Sequence, residues 1–458
     1  MDVAERLRSV CADVSTDVDD LAGATRDRWV MAAAAAHPPA AVARPATPEE
    51  VAGVLAACSD SRVPVTPAGG RSGVCGGAMP VHGGVVLDLR GLAGPPTVDD
   101  ESLIAGVAAG TFGDALEADL RETHGLTLGH RPQSVAISTV GGWLACRSAG
   151  QYSTRYGKIE DMVVGLDVAL ADGRLIRTGG APRAATGPDL TQLFVGSEGT
   201  LGVITGARLR LHPAPETERR AAYRFDSFAR GVVACRRTLR RGATPAVLRL
   251  YDEAESRQSF RESGNVVVVL DEGDDRLVDA TMAVVDEECT AAGAESLGPG
   301  PVDHWMAHRD DTYDLDDLAR QGIVGDTMEV AASWSTMAAL YESVTSSLRT
   351  VEGTVWASSH LSHAYGDGAC LYFSLAGRGD GWYVAAWDAA AGAVLAHGAA
   401  LSHHHGVGLA KARFLPAALG PAHGVLADVK RALDPAGVLN PGKLGLPDPF
   451  GDVGWPRS

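Results

Sequence analysis

Three stretches of this chain carry almost no side-chain bulk, and each follows a strand-like run. The first is Pro67-Ala-Gly-Gly-Arg-Ser-Gly-Val-Cys-Gly-Gly77, set between the apolar runs 62–66 and 84–89. The second gathers Ser138, Thr139, Gly141, Gly142, Ser148, Ala149 and Gly150, and the third runs from Gly196 to Gly202. Backbone this bare lets main-chain N–H groups approach a flat or anionic ligand closely. No metal-ligand spacing and no Walker-type lysine accompanies the loops. A nicotinamide fingerprint fails too: the third loop reads G-x-x-G-x-x-G, not G-x-G-x-x-G between a strand and a helix. Three such loops in this order suit one large cofactor with a pyrophosphate and a ring system.

The remaining composition narrows the class. A chain of 458 residues is too long for one ordinary core and comfortable for two domains. Apolar content of 45% with 21% charged residues describes a soluble globular protein. A formal charge of −17 argues against nucleic acid as a partner. The densest basic run, Arg236, Arg237, Arg240 and Arg241, reads as a solvated helix face. Seven dispersed cysteines without CxxC or zinc spacing read as reduced thiols in a cytoplasmic protein, and no metal site is expected. The N-terminus lacks the apolar core of a signal peptide, and residues 30–36 are too short an apolar stretch to span a bilayer.

Residues 1–40 form an N-terminal helical segment ending in an alanine-rich connector. An α+β domain follows over 41–213, with a helix at 47–59, strands at 63–66, 85–89 and 103–108, and a helix at 111–124 capped by Thr111. It also holds a hairpin, 164–171 with 174–177, turning through Asp172-Gly173. Over 214–400 the pattern predicts strands at 221–225, 246–250, 265–270, 355–359 and 369–375, with helices at 228–240, 274–292, 334–351 and 381–397. Such doubled units build one antiparallel sheet with helices on one face, here capping the cofactor's ring. A closing segment over 401–446 returns toward the cofactor.

The phrases GH-x-P-x-S at 129–134, STVGGW at 138–143, YGKIEDMVV at 156–164, TGPDL at 186–190 and GSEGTLGVIT at 196–205 carry a resemblance. With GACLYF at 368–373 and SHHHGVG at 402–408, they resemble the FAD-binding vanillyl-alcohol-oxidase family, also called the p-cresol-methylhydroxylase type. The wording is that of its alkyldihydroxyacetonephosphate synthase branch and covers about 41–446. The fold so implied is a two-subdomain FAD-binding domain with an α+β cap. FAD would then lie on Pro67, Ala68, Gly69, Gly70, Arg71, Ser72 and Gly73. Gln133, Ser134, Val135, Ala136, Ile137, Ser138 and Thr139 would line its next portion, with Cys146, Arg147, Ser148 and Ala149. Glu198, Gly199, Thr200, Leu201, Gly202, Val203 and Ile204 would complete the site. The first loop offers no histidine, and Cys75 is its only thiol, so non-covalent FAD is expected.

The activity implied is exchange of the acyl group of acyl-dihydroxyacetone phosphate for a long-chain alcohol, with the substrate held on the flavin N5 and no net redox change. The alternative is an FAD-linked dehydrogenase or oxidase of a 2-hydroxy acid or related alcohol. Both take a small-molecule or lipid-like substrate, and a homodimer stays open. Tyr372, in an otherwise apolar strand, is either a core tyrosine or, by resemblance, the acid–base residue. Free tyrosine titrates near 10, so as a base it needs cations beside it. His403, His404 and His405, in an extended run, alternate sides and can donate hydrogen bonds or shuttle protons. Arg249 could stabilise charge, or pair structurally with Asp252 or Glu253. His130 is a further candidate facing the cofactor. Thr336 stands where the family has a substrate-binding arginine, which puts phosphate recognition in doubt unless Lys411 or Arg413 compensates.

Overall fold

The computed structural model describes residues 3–311 and 315–455, the side chains of 315–317 apart. Near the N-terminus β1 (Val14–Ser15), β2 (Ala41–Ala43), β3 (Val65–Ala68) and β4 (Val85–Asp88) form a sheet in the order β1-β2-β4-β3. The helix Pro48–Ser61 lies against it. Thr47 accepts from the Glu50 N–H, Pro48 opens the first turn, and Arg62 ends the helix in the left-handed region at φ 51°. Val51, Val54, Leu55 and Cys58 fall on one stripe and pack with Val85 and Leu87. Burying each such side chain contributes roughly 1.5–3 kcal/mol.

A second, antiparallel sheet contains β5 (Thr97–Asp99), β6 (Ile104–Ala108), β8 (Val163–Ala169), β9 (Leu175–Arg177) and β10 (Val203–Arg210) in the order β5-β6-β10-β8-β9. The short pair β7 (Leu126–Thr127) and β11 (His212–Pro213) closes its side. Thr111 does not cap the next helix, which runs Gly113–His124 from Phe112 without a side-chain cap. The Thr111 carbonyl instead accepts from the Val140 N–H (3.0 Å). Gly113 seats the Trp143 indole, which a Cβ there would meet at 2.3 Å. Packing, not capping, sets that helix start.

The second half holds β12 (Thr217–Phe225), β13 (Val247–Tyr251), β14 (Asn265–Gly273), β15 (Glu295–Gly298), β16 (Val324–Ser333), β17 (Thr354–Ser362) and β18 (Gly368–Gly377). They form one antiparallel sheet in the order β15-β12-β14-β13-β17-β18-β16. The four long helices Phe228–Arg240, Asp275–Ala291, Met337–Thr350 and Trp382–Ala396 cover one face. Pleat alternation divides the strands between faces: Val267 and Val269 join the helix-side core, while Val266, Val268 and Leu270 meet Trp305 opposite. Strand β16 and the helices Glu253–Phe260 and Gly300–His308 were not foreseen by the sequence pattern. Among the described residues no helix is long and apolar enough to cross a membrane.

Candidate active site

A cavity of about 1920 Å³ separates the face of this sheet turned away from the four long helices from the three glycine-rich loops. Small-ligand sites usually occupy about 300–1,000 Å³, so this space suits a large cofactor with room for a substrate. Gly69 and Gly70 press so closely on the second loop that a Cβ would lie 2.3 Å from Thr139 Oγ1 or 2.0 Å from the Ile137 carbonyl. At Arg71 the backbone turns left-handed (φ 52°), and the buried Nε and Nη2 have no hydrogen-bond partner. Nη2 lies 3.7 Å from Asp88 Oδ2, and buried donors that make no hydrogen bond beside bare backbone suit a pyrophosphate. The residues fit FAD.

Pro67 to Gly73, Gln133 to Thr139, Cys146, Ser148, Ala149, Glu198, Gly199, Gly202, Val203 and Ile204 all line the cavity. Three expected contacts do not. Arg147 bonds Gln192 (2.9 Å), the Thr200 hydroxyl donates to the Ser197 carbonyl (2.7 Å), and Leu201 is in the core. Glu198 lines the cavity but uses its carboxylate elsewhere, accepting from the Val407 (2.6 Å) and Gly408 (2.8 Å) N–H groups. Asn440 donates to the carbonyls of Gly77 (2.9 Å) and Glu198 (2.7 Å), tying the first and third loops to the C-terminal segment. Burial pushes the Cys75 and Cys146 thiols up, so neither is a ready thiolate.

Opposite the loops, strand register lines up one polar row. Tyr251 pairs with His360, His360 with Tyr372, and Tyr372 with Glu329, across β13, β17, β18 and β16. His360 stacks on Tyr372 at 4.9 Å and 14°. Its Nε2 lies 2.7 Å from Arg249 Nη2 and its Nδ1 2.8 Å from Glu255 Oε2. Arg249 thus meets His360 instead of Asp252 or Glu253, and stands over the rings of Tyr251 (5.5 Å) and Trp305 (5.4 Å). Asp252 caps the helix Glu253–Phe260 and accepts from the Ser359 N–H (2.8 Å). Burial pushes the Tyr372 phenol up, a hydrogen bond to Thr327 opposes this, and Glu329 and Asp326 raise it further. The surroundings therefore keep the hydroxyl protonated, contrary to the expectation that neighbouring cations would activate it.

The triple histidine sits in a series of bends, not an extended run, so its side chains do not alternate. The His403 and His404 Nδ1 atoms lie 3.0 Å apart, and the His404 and His405 rings are 6.2 Å and 5.6 Å from Tyr372. Glu329 holds this turn: it accepts from the His405 N–H (2.9 Å) and from Lys411 Nζ (2.7 and 2.8 Å), with His405 Nδ1 at 3.1 Å. Burial favours protonating Glu329, but His405 and Lys411 outweigh it and hold the carboxyl well below its ordinary range. Burial drives the other way at the imidazoles, pushing His403 down to about 3 and His404 well below its usual value. His363 joins them, with nitrogens of His363, His403 and His404 all within 4.8 Å, a spacing that could hold a metal where none was expected. Ser153 bonds His363 (2.7 Å), and Tyr365 bonds His403 (3.2 Å).

The remaining candidates fall outside. Thr336 lies just before the helix Met337–Thr350, its hydroxyl donating to the Ser333 carbonyl (3.1 Å), and does not line the cavity. Lys411 is spent on Glu329, and Arg413 pairs with Asp388 (2.8 Å) over the Trp455 ring (3.9 Å). His130 is buried against Trp143 (4.7 Å) behind the cavity wall, and burial pushes it down to about 3. Glu255, His360, His363, Tyr365 and Glu329 escaped sequence reasoning. The two histidines three apart in Ser-Ser-His-Leu-Ser-His363 were the available signal.

Fold and site together define a flavin-dependent enzyme. A model described as "FAD binding domain" matches residues 39–179, and one described as "FAD linked oxidases, C-terminal domain" matches residues 214–444. The chain belongs to the family of FAD-linked oxidases with a p-cresol-methylhydroxylase-type FAD-binding fold. It is 30% identical to the uncharacterized FAD-linked oxidoreductase YgcU of Escherichia coli O157:H7, covering 89% of each chain. It is 29% identical to the alkyldihydroxyacetonephosphate synthase of Trypanosoma brucei brucei, over 94% of this chain and 77% of that one. A solved alkyldihydroxyacetonephosphate synthase superposes with TM-score 0.81 at 25% identity, over 96% of this chain and 85% of that one. p-Cresol methylhydroxylase, with TM-score 0.78 at 18% identity over 98% and 97%, shares the fold.

Proposed function

We propose that this flavoenzyme exchanges the acyl group of an acylated, lipid-like small molecule for a long-chain alcohol. One observation carries the reading: the cavity that meets Tyr372, His404 and His405 continues past Ser374 into an arm whose far end is lined by Ala376, Trp356, Val355, Leu318 and Ile323. Two residues along the pleat from Tyr372 lies Ser374, opposite Ser358; two further lies Ala376, opposite Trp356. Beyond them Val355, Leu318 and Ile323 line the same cavity, and Val355 is 51% exposed, marking a mouth. A hydrocarbon chain fits such an arm, whereas a short hydroxy acid leaves it empty. The similarity to synthases supports the same reading. Seven free cysteines fit a cytoplasmic setting.

FAD, held without a covalent bond by the three glycine-rich loops that line the cavity, would supply an electron-accepting ring. The protein's own groups then divide the proton work. Tyr372, protonated at rest, offers a hydrogen bond to the departing carboxylate oxygen as the C–O bond breaks and the electron pair leaves with it, so that the acid departs as its anion and the phenol keeps its proton. His404, neutral in its buried seat, and His405 beside it accept the proton of the entering alcohol as its oxygen bonds to the same carbon. Arg249 offsets the negative charge that develops in this low-dielectric space.

The test is anaerobic mixing of FAD-loaded protein with acyl-dihydroxyacetone phosphate and a long-chain alcohol, following flavin absorbance and product mass. An ether-linked product with the flavin oxidised at the end supports the exchange. Full bleaching by a 2-hydroxy acid, with no ether formed, would replace it by the dehydrogenase reading that YgcU and the 28% identical glycolate oxidase subunit GlcD of Bacillus subtilis suggest.

A further inference from the structure

We infer that Glu255 and His360 are positioning residues that fix how Arg249 presents its guanidinium to the cavity. A guanidinium can only donate, so at 2.7 Å the His360 Nε2 must be the acceptor and carries no proton. The neutral ring therefore bears its proton on Nδ1, which donates to Glu255 Oε2 at 2.8 Å. Glu255 enforces that tautomer because an ionised carboxylate only accepts. Its other oxygen is engaged by the hydroxyls of Ser358 (3.0 Å) and Ser374 (3.1 Å), which keeps Oε2 aimed at the imidazole.

Were the proton on Nε2, two N–H groups would face each other at the Arg249 contact, and the guanidinium would leave its seat. In the chain of contacts as it stands, charge runs from a carboxylate through a neutral ring to a cation. Arg249 Nε is buried without a partner, so the guanidinium keeps donor capacity for an anion in the cavity it lines. His360 also lies flat against Tyr372, so the same ring sets the spacing between the cation and the phenol. Glu255 and His360 thus act through Arg249 and Tyr372 without touching the reacting atoms themselves.

This inference rests on the cavity being the substrate site, as proposed above, but one of its tests does not. In holoenzyme labelled with ¹⁵N-histidine, the resonances lost in His360→Phe identify His360. They are expected to show a protonated Nδ1 and a bare Nε2 at pH 7. An Nε2–H or an imidazolium there overturns the inference, whatever the reaction. Glu255→Gln, which keeps the ring, is expected to shift those resonances; unchanged resonances also overturn it.

The second test is a double-mutant cycle on the affinity of holoenzyme for dihydroxyacetone phosphate, read as a perturbation of flavin absorbance. Arg249→Ala and His360→Phe are each expected to lose about tenfold or more. The double variant is expected to lose no more than Arg249→Ala alone, because His360 acts through Arg249. Additive losses would assign His360 a separate, merely structural part. If wild type itself binds no dihydroxyacetone phosphate while the nitrogen spectrum is as expected, the substrate reading fails and the positioning pair stands.

Discussion

Tyr372 shows how a residue type can be legible and its chemistry not. The apolar strand around it and the histidine triplet are plain in the sequence. The sign of its titration is not, because Glu329 and Asp326 reach it from a strand that the sequence pattern did not reveal. Tyr372→Phe is expected to retain FAD and slow turnover about 10²–10⁴-fold, measured by product formation at saturating substrate. A rate close to wild type would make it a core tyrosine. Thr336 teaches the converse lesson, since matching words along a chain does not say which way a side chain faces. Thr336→Arg is expected to change stability by no more than about 0.5 kcal/mol and to leave affinity for a phosphorylated ester unaltered. A gain of about tenfold in a binding titration would show that a guanidinium there reaches the cavity after all.

At the scale of elements, strands and helices with strong periodicity stood where expected: the helix Phe228–Arg240 matches to the residue. Strand β16 escaped because Glu329 interrupts its apolar alternation, and a buried carboxylate is intelligible only once Lys411 and His405 are beside it. Glu329→Gln leaves Lys411 buried without its counter-charge and is expected to cost about 3–5 kcal/mol in urea unfolding. Adding Lys411→Met should recover much of that loss. The helix Glu253–Phe260 offers a pH signature. Burial raises its cap, Asp252, from 3.8 to about 6. The folded chain then holds that proton more tightly than the unfolded chain. This contribution is fully present below about pH 4 and lost as pH rises through about 6. Asp252→Asn keeps the cap without the titration. Its unfolding midpoint should therefore improve relative to wild type between about pH 4 and 6, and parallel profiles would refute the assignment.

Across the whole molecule, the cofactor-binding half and the capping sheet meet along the cavity walls, through the returning C-terminal segment, and through side chains such as Trp29, whose indole donates to the Tyr383 hydroxyl (3.0 Å), and Arg155, which pairs with Asp271 (3.3 Å). The glycine loops and the doubled β-α pattern mark these two regions in the sequence. The clasp is not marked there: Asn440 sits 242 residues beyond Glu198, and only the fold brings them together. Asn440→Ala removes two buried hydrogen bonds and should lower holoprotein stability by roughly 1–3 kcal/mol, seen as a lower temperature of flavin-fluorescence release. Acid precipitation of wild type should leave intact FAD in the supernatant, and a yellow pellet would contradict non-covalent binding.

The polar row from Tyr251 through His360 and Tyr372 to Glu329 has a consequence for how this site can change over time. Its members share a face only because four strands hold one register, and a shift of one residue in any strand turns every side chain on it to the other face. A single inserted or deleted residue within β13, β16, β17 or β18 would send the working groups toward the helices and bring core residues such as Leu361 or Leu371 into the cavity. Substitution, by contrast, alters one position and spares its neighbours. New specificities on this scaffold should therefore arise by exchange of side chains within strands of constant length, with changes of length confined to the turns between them.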